Sequence, residues 1–295
     1  MSTRINHNIL SMTAQRHIGQ SQLHLDQAIG RLSSGLRINN SWDDAAGLAV
    51  SERLRAQISG MVEAERNANY NINLLATADG ALSVIDDKLV RMRGLAVQAS
   101  NGALTDEDRE FINVEFQQLK SEITRIANVT NYNTLNLLNG DLSTSRSGNS
   151  SGNLTSTVAD SNSLKFHIGA NNEVANDYYY INIGGATASH LGILDANVLD
   201  TATSQSAIDL LDIAIESKDT ARAYIGSLVN RLQSTILELQ ISKENATASE
   251  TQIRDADIAA EMADFTRAQI LFNSGISMLT QANNIPQMVA QLIQG

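Results

Sequence analysis

Apolar residues recur at alternating steps of three and four along most of this chain, the spacing that puts them on one face of an α-helix. Leu82, Ile85, Leu89, Met92, Ala96 and Ala99 form one such stripe. Asn101-Gly102 closes it, so a single long helix is predicted from Ala45 to Ser100. A second helix is predicted from Thr105, where Thr105, Asp106 and Asp108 supply a cap and first-turn acids. Its stripe is Ile112, Phe116, Leu119, Ile123 and Ile126. A third runs over 203–250, with Ile208, Leu211, Ile215, Ile225, Leu228, Leu232, Ile236 and Leu239 on one side. Between the second and third, Leu164 to Gly169 and Tyr178 to Ile183 flank Asn171-Asn172 and read as a β-hairpin, the one good strand signal. Asn131 to Gly140 reads as a turn, and the Ser/Thr-rich stretch from Leu142 to Ser163 as an exposed loop.

The two ends carry a narrower pattern. Ile258, Met262, Phe265, Phe272, Ile276 and Leu279 repeat at steps of four and three, with Gln269 filling the gap, as in a coiled coil. At the other end Ile5, Ile9 and Met12 give one stripe, and Ile18, Leu25, Ile29, Leu32 and Leu36 a second that is offset from it. Such an offset reads as a stutter in the heptad phase. No charged side chain follows Arg267, and Met1 to Gly30 holds only Arg4, Arg16 and Asp26. A solvent-facing helix carries Lys and Glu on its outer side, whereas these ends are neutral and amide-rich. Both therefore suit burial among other protein chains. The Gly35 and Asn39-Asn40-Ser41 signals predict a break after the first helix, with Ser41 or Asp43 capping the next.

Composition narrows the function classes. The net charge is -11 and no Lys/Arg stripe occurs, which argues against nucleic acid or an anionic membrane as partner. The amides of the last segment interrupt any membrane-length apolar run, so no membrane insertion is expected. A single proline, Pro286, fits long uninterrupted helices, and no cysteine is available for disulfide or thiol chemistry. The N-terminus lacks a basic region followed by an apolar one, so no Sec-type signal is expected. His7, His17, His24, His167 and His190 are scattered without a completing ligand set; no metal site, cofactor or catalytic motif is expected, and an enzyme is not. The pair Asp43-Asp44 reads as helix-start acids.

Several blocks now resemble bacterial flagellin: Leu32-Ser-Ser-Gly-Leu-Arg-Ile-Asn39, Asp43-Asp-Ala-Ala-Gly-Leu48, Ile253-Arg-Asp-Ala-Asp-Ile-Ala-Ala-Glu-Met-Ala263 and Gln281-Ala-Asn-Asn-Ile-Pro-Gln-Met-Val289. Asn230-Arg231-Leu232 and Phe166 to Asn171 also fit, while Trp42 stands where the family has a smaller or polar residue, with an altered hinge contact as the expected result. The short middle resembles the core-only form of the family. The expected fold is mainly α, a long antiparallel helical bundle and coiled coil of both chain halves with a small β-hairpin insert. The resemblance implies an inner domain, 1–42 with 254–295, that polymerises, and an outer core domain, 43–253, with the insert at about 141–200. The expected polymerisation stripe is Ile5, Ile9, Met12, Leu25, Ile29, Leu32, Ile258, Met262, Phe265, Phe272, Ile276 and Leu279.

By the same resemblance the chain would self-assemble into a flagellar filament for motility, its ends disordered until assembly, after unfolded export through the flagellar type III apparatus. Implied partners are further copies, an export chaperone on the C-terminal helix near Phe265 to Leu292, and hook-associated and cap proteins. Toll-like receptor 5 is a further implied partner, through Arg91, Leu95 and Glu115, although Gly94 and Val90 depart from the pattern there. O-linked sugars are expected on Ser143, Ser145, Ser150, Ser151 and Thr155 of the loop. The alternative is the hook–filament junction protein, a family with proline after the paired Asp; here Ala45-Ala46-Gly47 follows.

Overall fold

The computed structural model describes residues 7–142, 163–174 and 176–294, with side chains as far as Met288. Five helices dominate: α1 (Ile9–Ser34), α2 (Ala45–Ala99), α3 (Asp106–Val129), α4 (Thr201–Arg254) and α5 (Ile258–Gln294). Two small antiparallel sheets lie between α3 and α4: β1 (Asn131–Tyr132) with β2 (Leu135–Asn136), and β3 (Leu164–His167) with β4 (Tyr178–Ile181). The chain divides into two compact units, residues 1–58 with 244–295, and residues 59–243; α2 and α4 run from one into the other.

In the unit of residues 59–243, α2 has α3 and α4 as antiparallel neighbours. Arg91 meets Glu115 at 2.8 Å, and the Arg109 guanidinium reaches back to the Ala99 and Asn101 carbonyls at 3.0 Å each. Ala99 O is among the last acceptors of α2, which lack helical partners, and Asn101 O lies in the turn just past it. The buried Arg109 supplies them. Thr105 and Asp108 complete the turn with a reciprocal capping box, as the sequence predicts.

Against α4, α2 pairs in register through Glu65 with Lys243, Asp79 with Arg222, Asp86 with Lys218, and Arg93 with Asp212. Asp79, Asp86 and Arg93 stand a heptad apart, so all three project along one edge of the helix. Lys218 is buried. Burial works against its ammonium, but the Asp219 and Asp86 carboxylates at 2.6 Å outweigh this and raise its pKa. Leu82, Ile85, Leu89, Met92, Phe116, Ile123, Leu211 and Leu232 fill the core between the helices.

The expected hairpin is present, with Leu164 opposite Ile181 and His167 opposite Tyr178. Phe166, Tyr179 and Ile181 face the core, and Arg231 of the Asn230-Arg231-Leu232 block lies 4.2 Å over the Tyr179 ring. Lys165, His167, Tyr178 and Tyr180 occupy the other face. Lys165 and His167 both lie against Tyr178, so the aromatic cluster is cross-strand packing.

Two sequence expectations need correction. The turn over 131–140 contains the extra pair β1–β2, joined by Asn133 and Thr134, both at positive φ. That is the backbone a two-residue hairpin requires, made here without glycine. The N-cap of α2 is Asp44, whose carboxylate accepts from Gly47 N at 2.9 Å; Asp43 turns backwards and accepts from Asn39 N and Asn40 N. Position 41 lies too early, because the chain makes one more turn before the helix begins.

Candidate assembly surface

Within the unit of residues 1–58 and 244–295, α1 and α5 pair antiparallel. Three contacts set the register: Arg31 to Glu261 at 3.1 Å, Asn8 Nδ2 to Ala282 O at 2.7 Å, and Ile18 against Gly275. Among the less exposed positions of α1, Ser11, Ala14, Ile18, Ser21, Leu25, Ala28 and Leu32 form one line, flanked by Thr13, Gln22, Gly30 and Arg31; those of α5 with described side chains are Glu261, Phe265, Ala268, Phe272, Gly275, Leu279, Ala282 and Pro286. Each line follows the three/four spacing without interruption, so no stutter occurs over 11–32.

The register sets large against small. Ile18 is level with Gly275, Leu25 with Ala268, and Phe265 with Ala28. A methyl group at Gly275 would lie 2.8 Å from Ile18 Cγ1, so glycine is what allows the helices this approach.

The predicted stripe is thereby split. Leu25, Leu32, Phe265, Phe272 and Leu279 are half-buried in the seam, whereas Ile9, Met12, Ile29, Ile258, Met262 and Ile276 are between 44% and 67% exposed. Apart from Ile18 and the paired Glu261, small residues fill the remaining seam positions, where the close approach leaves little room for longer ones. Ile270, Leu271 and Met278 are exposed as well. α5 is thus apolar on its seam and on exposed positions beside it, unlike a helix whose outer face is charged. Ile5, Ser143, Ser145, Ser150, Ser151 and Thr155 lie outside the described residues.

Pro286 sits inside α5. Proline has no N–H, so the carbonyl four residues back, Ala282 O, loses its helical donor. Asn8 replaces it. Its amide Nδ2 donates to Ala282 O, while its Oδ1 accepts from Ser11 N at 3.0 Å and caps α1. One side chain thus closes the start of α1 and mends α5, a role with no local sequence signal beyond the capping preference of Asn.

Three of the blocks that resemble flagellin, 32–39, 43–48 and 253–263, converge on the corner where α1 hands over to α2 and α4 to α5. Gly35 ends α1 at φ 71°, its N–H bonded to Arg31 O, the left-handed cap that glycine adopts without strain. Leu36 then bridges Asp255; Arg37 N donates to Arg254 O at 2.7 Å, and Ala256 N to Gly35 O at 3.0 Å. Ile38, 1% exposed, packs on the first turn of α2, where a side chain at Gly47 would strike Ile38 Cδ1 at 2.7 Å. Arg254 also holds Glu52 at 2.7 Å, and that hydrogen bond keeps the Glu52 carboxyl below its usual range. Trp42 takes no part in this hinge: it is 80% exposed.

Of the implied receptor contacts, Arg91 and Glu115 pair with each other on the surface, while Leu95 is 2% exposed in the core and unavailable to a partner of the folded chain. Among the described residues no group of three or more His, Cys, Asp or Glu could hold a metal, and no helix is long and apolar enough to cross a membrane.

Comparison with known proteins agrees with this geometry. The bacterial flagellin N-terminal helical region matches residues 5–143, and the C-terminal helical region residues 208–293. The chain is 41% identical to a flagellar filament 33 kDa core protein of Treponema phagedenis, over 98% of this chain and 99% of that one. It is 40% identical to a flagellin of Halalkalibacterium halodurans over the same shares. A solved Bacillus cereus flagellin is 31% identical, covering 59% of this chain and 88% of that one at a TM-score of 0.45. A putative flagellar hook-associated protein of Vibrio parahaemolyticus, 16% identical, covers 72% of this chain and 100% of its own at a TM-score of 0.55, a likeness of fold alone. Matched at both ends and along its length, the chain belongs to the bacterial flagellins, structural core proteins of the flagellar filament.

Proposed function

We propose that the chain self-assembles into the filament through the exposed flanks of the α1–α5 pair, and that the resulting helical polymer carries motor torque for swimming. The observation that carries this reading is that Ile9, Met12 and Ile29 of α1 and Ile258, Met262 and Ile276 of α5 are left uncovered, on helices that carry only three Asp, Glu, Lys or Arg each. Covering what remains exposed of one such side chain against a neighbouring copy contributes about 1–2 kcal/mol, and the same side chains recur in every subunit.

In this reading residues 1–42 and 254–295 form the inner polymerising domain, and 43–253 the outer core. Before assembly the same flanks need a cover, which fits an export chaperone gripping α5 in a helix-in-groove mode. Unfolded export through the type III apparatus, and hook-associated and cap proteins at the filament ends, complete the proposal. Against the junction-protein alternative, Ala45 and Ala46 follow the paired Asp where that family has proline.

Ile276→Asp tests the surface. The position is 44% exposed, so the pair itself tolerates the change, and a charge there is costly only once a neighbouring copy covers it. The expected result is unchanged helicity by circular dichroism with loss of seeded polymerisation. Normal polymerisation of this variant would exclude the flank as an interface.

A further inference from the structure

The corner presents one large side chain that nothing in its own chain covers. Trp42 is 80% exposed and is the single tryptophan of the sequence. Its exposure does not come from a loose loop. The Asp43 carboxylate accepts from Asn39 N at 3.1 Å and Asn40 N at 2.9 Å, Asp43 N donates to Asn40 O at 3.1 Å, and Asp44 caps α2 immediately after. The residues on both sides of the indole are thus tied down. A side chain of this size buries on the order of 150–250 Å² when covered, and a pre-ordered mount reduces the entropy lost on docking.

We infer that Trp42 is an anchor that docks onto a second copy of this chain. The bridge between Leu36 and Asp255 brings this segment beside the start of α5, where Ile258 and Met262 are also exposed. Trp42 adds a further uncovered apolar side chain to the unit whose other exposed apolar side chains are assigned to neighbouring copies, and the inference rests on that reading of the function. Tryptophan is the side chain most often found at the energetic centre of an interface.

Because the chain has one tryptophan, its fluorescence reports this position alone. The full chain is polymerised on sheared seeds, and emission and acrylamide quenching are recorded before and after. The expected result is a blue-shifted emission and reduced quenching in the polymer. Trp42→Ser should keep monomer helicity and raise the critical concentration about tenfold or more, with Trp42→Phe in between. Polymers whose tryptophan remains red-emitting and fully quenched would overturn the anchor while leaving the assembly reading intact, as would an unchanged critical concentration for Trp42→Ser. Failure of the unaltered chain to polymerise would overturn the reading beneath it.

Discussion

Asn8 is the residue on which the pairing of α1 and α5 turns, and its replacement has a calculable effect. Asn8→Ala removes the cap on α1, a loss of about 1 kcal/mol. It also strips the donor from Ala282 O, a carbonyl of a buried residue that Pro286 has already deprived of its helical bond, for about another 1 kcal/mol. The sum, about 2 kcal/mol, corresponds to roughly thirtyfold faster opening. Hydrogen exchange read by mass spectrometry on peptides from 9–16 and 278–288 measures it. The decisive comparison is with Pro286→Ala, which restores an N–H for Ala282 O. In that background Asn8→Ala should cost only the cap, about 1 kcal/mol or roughly fivefold. Asn8→Asp gives a third reading, since it keeps the cap but sets a carboxylate against the carbonyl. Equal losses with and without Pro286 would refute the idea that Asn8 compensates for the proline.

Further expectations follow from other contacts. Gly275→Ala should destabilise the α1–α5 pair by about 1–3 kcal/mol through its collision with Ile18, despite the better helix propensity of alanine. Adding Ile18→Ala should recover part of that loss in the same exchange experiment. Arg109→Ala strands the Ala99 carbonyl and leaves Asn101 O with the 3.3 Å bond from Leu104 N, and thermal unfolding should show a loss of about 1–3 kcal/mol that lysine restores poorly. Glu52 has a folded-state pKa depressed chiefly by its hydrogen bond to Arg254, so its contribution is present above the ordinary carboxylate range and disappears as pH falls through the folded value. The melting difference between the natural chain and Glu52→Gln should therefore narrow steadily below about pH 4.5.

The helices were legible because their signals are local. A Thr105–Asp108 capping box, a stripe such as Leu82 to Ala99 and an Asn101-Gly102 stop each need only a few neighbouring residues. The seam of α5 was not, because two interleaved heptads satisfy the same spacing. Met262 and Ile276 make one of them the more hydrophobic, but Ala268, Gly275 and Ala282 make the other the closer fit, and closeness depends on a helix some 250 residues away. The same distance hides the bond from Asn8 to Ala282, and the corner contact of Leu36 with Asp255. The strand pair β1–β2 escaped for another reason: Asn133 and Thr134 adopt a conformation for which glycine is the usual marker. The flanks left open by the seam are read in the sequence as part of one stripe. The structure separates what the chain buries within itself from what it leaves exposed.

The most direct test of self-assembly is electron microscopy of the purified chain after seeding with sheared filament ends or adding a kosmotropic salt. The account predicts long, uniform helical tubes, with the α1–α5 pair intact and Ile258, Met262 and Ile276 covered by neighbouring copies. Persistent monomers, short caps, or tubes in which those three side chains face solvent would contradict it.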